Sequence, residues 1–183
     1  MEPDFCIQVG DYWNYNHIWS VPVYWMFGNH ERGEDIKRVI DGSFKHPTNS
    51  HWLMGGIEEI NGVRVMALPG LPQVRPGPGP ANYPPKVYEL CMQQAGEDVD
   101  IFASHGCGFP FPNWVFDSGH RKSIMKNLEE PDITRLIKQV QPTYAVSGHN
   151  HKYAVEEHSG ICCIRLGHTE QSGGFAHIVE FER

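Results

Sequence analysis

Long apolar runs are missing from this chain. None approaches the ~20 residues that a membrane-crossing helix needs, and Met1-Glu2-Pro3-Asp4-Phe5 lacks the positive and then apolar start of a secretory signal. Positive charge is scarce as well: 15 Lys plus Arg stand against 22 Asp plus Glu, a formal net charge of −7. That balance argues against a wholly basic nucleic-acid or membrane-surface binder, though not against a local basic groove. Cysteine is sparse and badly placed for pairing. There are five, with Cys162 and Cys163 adjacent, which is no evenly spaced disulfide framework. They read as reduced thiols, so a cytoplasmic location is expected. Internal repeats and tracts of one charge sign are also absent. What is present is 183 residues, 40% hydrophobic and 20% charged, the makings of one packed domain over 1–183. Histidine is unusually abundant at 11.

Four apolar runs read as buried strands: 5–9, 21–27, 99–104 and 144–147. Residues 34–40 read as a helix stopped near Gly42, and 56–68 as a hairpin turning at Asn61-Gly62. Residues 69–85, PGLPQVRPGPGPANYPP, form a Pro/Gly-rich loop within the domain. A helix is expected from Tyr83 through Gln94. Gly106 to Gly119 reads as irregular. Pro131 to Val140 reads as a helix with Ile133, Leu136, Ile137 and Val140 on one face. Three strand-like pieces close the chain, at 152–156, 161–166 and 175–181.

Each of the four runs is followed at once by metal-competent side chains: Asp11, then Asn29 with His30, then His105, then His149 with His151. If the runs are strands of one sheet, these groups lie at strand carboxyl ends, where open α/β sheets bind ligands. Imidazole, carboxylate and amide oxygen form a mixed N/O set, suited to Mn, Zn, Fe, Co or Ni. Among the cysteines only Cys107 is placed to join them.

Gly10-Asp11, Gly28-Asn29-His30-Glu31, Ser104-His105 and Gly148-His149-Asn150-His151 stand in the order of the calcineurin-like metallophosphoesterase motifs, and the chain resembles that family from residue 5 to about 165. The resemblance implies an α/β fold, a layered αββα sandwich. The family's opening Asp-x-His does not precede Gly10, so a sandwich lacking the first strand is expected; Asp4 and His17 are conceivable substitutes. The resemblance implies divalent metal ions, one or two, held by Asp11, Asn29, His105, His149 and His151. The second-metal set of Asp11, Asn29, His105 and His149 is complete, whereas the first-metal set is reduced to Asp11 and His151. It further implies a hydrolase that acts on a phosphomonoester or a phosphodiester, such as a nucleotide or nucleic acid, through attack of a metal-bound hydroxide. His30 would be the catalytic group facing the leaving oxygen. Asn14 would orient His30. Residues 69–85 read as a surface loop, with a substrate-covering lid, Arg75 its one cationic contact, as the sharper alternative.

Blander readings stand beside these. Asp11 alone is a common turn or capping residue, and His105 alone is more often structural. His17, His46, His51, His120, His158, His168 and His177 read as surface or hydrogen-bonded groups, His168 and His177 being the nearest to strand ends. Trp13, Tyr15, Trp19, Tyr24 and Trp25 read as core or cleft-wall aromatics, with base stacking as the sharper alternative. At the level of function, the alternative to a phosphoesterase is a non-catalytic metal- or phosphate-binding descendant, inactive through loss of the first-metal ligands. A structural zinc protein fits poorly, because such sites favour closed Cys-rich sets.

Overall fold

Side chains along a strand alternate between its two faces, and in this chain the alternation sorts the core into layers. The computed structural model describes residues 2–12, 15–71, 85–108, 114–117, 122–125, 131–149, 153–167 and 177–181, with backbone alone at 85, 114–117, 122–125 and 131. The elements run β1 (Cys6–Gln8), β2 (Val23–Trp25), α1 (Gly33–Ile40), β3 (Ser50–Trp52), β4 (Gly56–Ile60), β5 (Val63–Leu68), α2 (Pro85–Gln93), β6 (Ile101–Ser104), β7 (Trp114–Asp117), β8 (Lys122–Met125), α3 (Pro131–Val140), β9 (Tyr144–Ser147), β10 (Ala154–His158) and β11 (Ile161–Arg165).

β1, β2 and β3 form a small parallel sheet in that order. The large sheet has the order β10-β11-β9-β6-β5-β4. Its four inner strands are parallel, and each edge is antiparallel. On β5 and β6, Val65, Ala67, Ile101 and Ala103 face the small sheet and pack with Val9, Met26 and Leu53. The intervening Met66, Leu68 and Phe102 face the other way, onto Cys91 and Ala95 and onto Ile133, Leu136, Ile137 and Val140 of α3. The outer face of the small sheet carries Val23 and Trp25, packed with Tyr12, Trp52 and Val39 of α1. The result is an α/β sandwich with α1 outside one sheet and α2 and α3 outside the other.

Local chemistry explains several boundaries. Asn61 and Gly62 both have positive φ, 50° and 79°, as the tight β4–β5 hairpin requires. Pro131 opens α3, where its missing N–H costs nothing, and the helix stops at Gln141, which is left-handed at φ 52°.

The structure departs from the sequence reading in four places. The four ligand-bearing runs do not share one sheet: β1 and β2 belong to the small sheet, β6 and β9 to the large one. β3 was not expected, since Ser50-His51-Trp52 is too short and polar to show an apolar run. The stretch read as irregular from 106 to 119 contains β7, which pairs with β8 in a hairpin. The last expected strand has no regular structure over 177–181. There Phe181 packs its ring edge against Tyr144, with centroids 5.6 Å apart.

Candidate functional site

Asp11, Asn29, His105 and His149 sit just beyond the ends of β1, β2, β6 and β9, and the sandwich brings all four together. The meeting point is the amide of Asn29. Its Oδ1 lies 2.8 Å from His105 Nε2 and 2.9 Å from His149 Nδ1, and the two imidazoles meet edge to face at 5.1 Å. Asp11 divides its carboxylate. Oδ1 accepts the His30 backbone N–H at 2.9 Å, and Oδ2 is 3.7 Å from His105 Nε2.

The backbone is bent to make this possible. Asp11 and His149 both adopt left-handed conformations, φ 57° and 61°, which non-glycine residues hold only when their surroundings impose it. The Gly148 N–H donates to the His105 carbonyl at 3.1 Å and ties the two large-sheet loops together. Glycines line the seat of the His105 ring. A Cβ on Gly10 would land on the ring at Nδ1, and one on Gly28 would strike both the Asp11 carboxylate and the ring.

His105 is buried, at 1% exposure, and both its nitrogens face oxygen. Nδ1 is 2.8 Å from the Val9 carbonyl. A neutral imidazole has one N–H. Donated to Val9, it leaves Nε2 as a lone pair directed at Asn29 Oδ1 and Asp11 Oδ2. Lone pairs that converge in this way suit a shared cation, and a carbonyl on the far nitrogen is the usual second support of a metal-bound histidine. The donor set therefore fits a divalent ion, with Asp11, Asn29, His105 and His149 as the residues that would hold it. Among the described residues, no three His, Cys, Asp or Glu side chains stand close enough to form a metal cluster by themselves; the gathering depends on the Asn29 amide.

Glu31 lies beside the site, tied to the turns that carry Asp11 and Asn29. It is 4% exposed, and its two oxygens accept the Tyr12 and Gly28 backbone N–H groups, each at 2.6 Å. Burial pushes its carboxyl up to about 7, with the Asp11 charge adding to the shift and the two backbone hydrogen bonds opposing it.

His30 is exposed next to the cluster. Asn14, Arg75 and His151 lie outside the described residues, as do Trp13, His120 and His168. Cys107 is no part of the gathering; it is buried in the core under α3. His17 meets Trp19 edge-on at 4.4 Å, and His51 stacks on Tyr24. His158 pairs with Glu156, and His177 with the Tyr153 hydroxyl. Trp25 is core. The sequence reading missed the Val9 carbonyl and Glu31. Only the acid in fourth place of Gly28-Asn29-His30-Glu31 offered a signal.

Several known proteins are similar to this chain. The calcineurin-like phosphoesterase family profile matches residues 3–153. Lariat debranching enzymes are similar in sequence. That of Drosophila melanogaster is 25% identical over 82% of this chain and 33% of its own length; that of Homo sapiens is 24% identical over 72% and 29%. The chain thus spans about a third of the curated relatives it matches. In fold it resembles TT1561 of Thermus thermophilus, with a TM-score of 0.52 at 13% identity, over 80% of this chain and 63% of that one. With its motifs in order at the ends of the sandwich strands and the profile matched over most of its length, this chain belongs to the calcineurin-like phosphoesterase family, a family of metal-dependent phosphoesterases.

Proposed function

We propose that this chain is a one-domain, metal- and phosphate-binding member of its family, with a single ion site built from Asp11, Asn29, His105 and His149. The observation that carries the reading is the convergence of the His105 and His149 nitrogens on the Asn29 amide oxygen. A divalent ion bound there, with Mn or Zn the first to try, supplies Lewis acidity to a phosphoryl oxygen. Asp11 provides the negative charge that balances the ion, and Asn29 adds a neutral oxygen. His105 is held by Val9 in the tautomer that presents Nε2. These four side chains converge around the Asn29 amide, which supports one ion site. His151 is the candidate for a further ion beside Asp11, and Asn14 and Arg75 are candidates for substrate contact.

Hydrolysis is the second reading. It is favoured by the exposed His30, tethered to Asp11 through its own N–H, where it can give a proton to a leaving oxygen. The names of the sequence relatives make a branched nucleic-acid phosphodiester the diester probe to try alongside a generic aryl phosphodiester.

Both readings are tested by loading the purified chain with Mn, counting bound metal and assaying an aryl phosphodiester. One equivalent of metal without turnover supports the binding reading. Turnover that is lost in His30→Ala at unchanged metal content supports the hydrolase. A chain that takes up no metal refutes both.

A further inference from the structure

Two turns carry the oxygen donors of the site, residues 10–12 beyond β1 and 28–30 beyond β2, and a single side chain grips both. Glu31 Oε1 accepts the Tyr12 N–H and Oε2 accepts the Gly28 N–H, each at 2.6 Å. The Tyr12 nitrogen is bonded directly to the Asp11 carbonyl carbon, and Gly28 immediately precedes Asn29. Each hydrogen bond therefore seizes the chain within one residue of a donor. We propose that Glu31 is a positioning residue for the ion site: its carboxylate bolts the two turns together and sets the spacing between Asp11 and Asn29.

The proposal rests on the reading of Asp11, Asn29, His105 and His149 as ligands. Its own support is the chemistry of the bolt. Two N–H groups that converge on one side chain need two acceptors, and a carboxyl group is the side chain that brings two oxygens to them. Glutamine would turn an NH2 towards one of the N–H groups, and aspartate is a methylene short of the span. Burying a carboxylate is costly unless it is fully hydrogen-bonded, so one that spends both oxygens on two turns is placed for what it holds. What it holds includes the left-handed backbone of Asp11, φ 57°, one residue before Tyr12. The geometry also separates tasks, since the grip of Glu31 on both turns is through backbone N–H groups.

The test is calorimetric titration of the whole chain with Mn(II), comparing wild type with Glu31→Gln, Glu31→Asp and Ile36→Ala. The last removes a buried side chain of α1 that lines the same pocket as Glu31 and leaves the Glu31 carboxyl in place. Glu31→Gln and Glu31→Asp should bind Mn(II) roughly 10- to 100-fold more weakly while folded, the usual effect of losing a ligand's outer support. Ile36→Ala should unfold at lower temperature with wild-type affinity. Wild-type affinity in folded Glu31→Gln overturns the proposal and leaves the ion site standing. A wild-type chain that takes up no Mn(II) overturns the ion site and the proposal with it. If the Glu31 variants do not fold, the metal-free wild type decides. Tyr12 and Gly28 amides that resonate downfield and resist exchange support the bolt; ordinary, fast-exchanging amides refute it.

Discussion

His105 and Glu31 are both buried polar groups beside the proposed ion site, and each is held by what surrounds it. His105 is fixed by the Val9 carbonyl. Glu31 is caught between burial, which favours its neutral form, and two backbone N–H groups, which favour the carboxylate; burial wins and its pKa rises from 4.5 to about 7. The folded protein therefore keeps this proton to higher pH than the unfolded chain does. The contribution is fully present below 4.5 and is lost as pH rises through about 7. In chelator-treated protein, urea unfolding should show wild type losing about 3 kcal/mol between about pH 4.5 and 8 relative to Glu31→Gln. Parallel pH profiles for the two proteins would contradict the shift. At the same scale, His149→Ala should lower metal content as measured by elemental analysis, because it deletes one of the two nitrogens on Asn29. His30→Ala should not, since its tie to Asp11 is through the backbone.

The strand-end turns are the elements that make the site. Gly28 has no room for a side chain between the Asp11 carboxylate and the His105 ring. Gly28→Ala should cost about 1–3 kcal/mol of stability, as overpacking does, and weaken Mn(II) binding; thermal melts and titration read the two effects separately. Behind the large sheet, Leu136 is fully buried on α3, and Leu136→Ala should cost about 2–5 kcal/mol in urea unfolding. Its metal affinity should be unchanged, because Leu136 belongs to the core cluster behind the large sheet and is none of the four donors.

Elements were legible where a local rule acted alone. Pro131 and the spacing of Ile133, Leu136, Ile137 and Val140 marked α3 end to end, and Asn61-Gly62 marked the β4–β5 turn. β3 was hidden because three residues with one exposed His carry no period, and its strand form comes from pairing with β2. Asp11, Asn29, His105 and His149 were legible as chemistry, since each follows an apolar run. Their distribution over two sheets was not, because side-chain alternation gives a strand's faces and not its neighbours. Glu31 was readable only as a motif letter, since its partners Tyr12 and Gly28 are fixed by the tertiary fold.

At the scale of the whole molecule, the four candidate ligands meet only in the assembled sandwich, so metal binding at the proposed site would be linked to folding. Mn(II) at about 100 times its dissociation constant should stabilise the chain by about 2.7 kcal/mol, seen as a rise in melting temperature that His149→Ala reduces or abolishes. The core is closed to reagents in the same way. The Cys91 and Cys163 thiols are buried, and burial pushes them up to about 11 and about 12. Both should resist alkylation at about pH 8 until the chain is unfolded, as peptide mass mapping would record.

Asp11 and Asn29 ride on the three-stranded sheet, His105 and His149 on the six-stranded one. An ion gripped by all four is then a rivet through both plates of the sandwich. Any slip of one plate along the other is felt first as a change in how tightly that rivet sits, which makes ion affinity a gauge of their alignment.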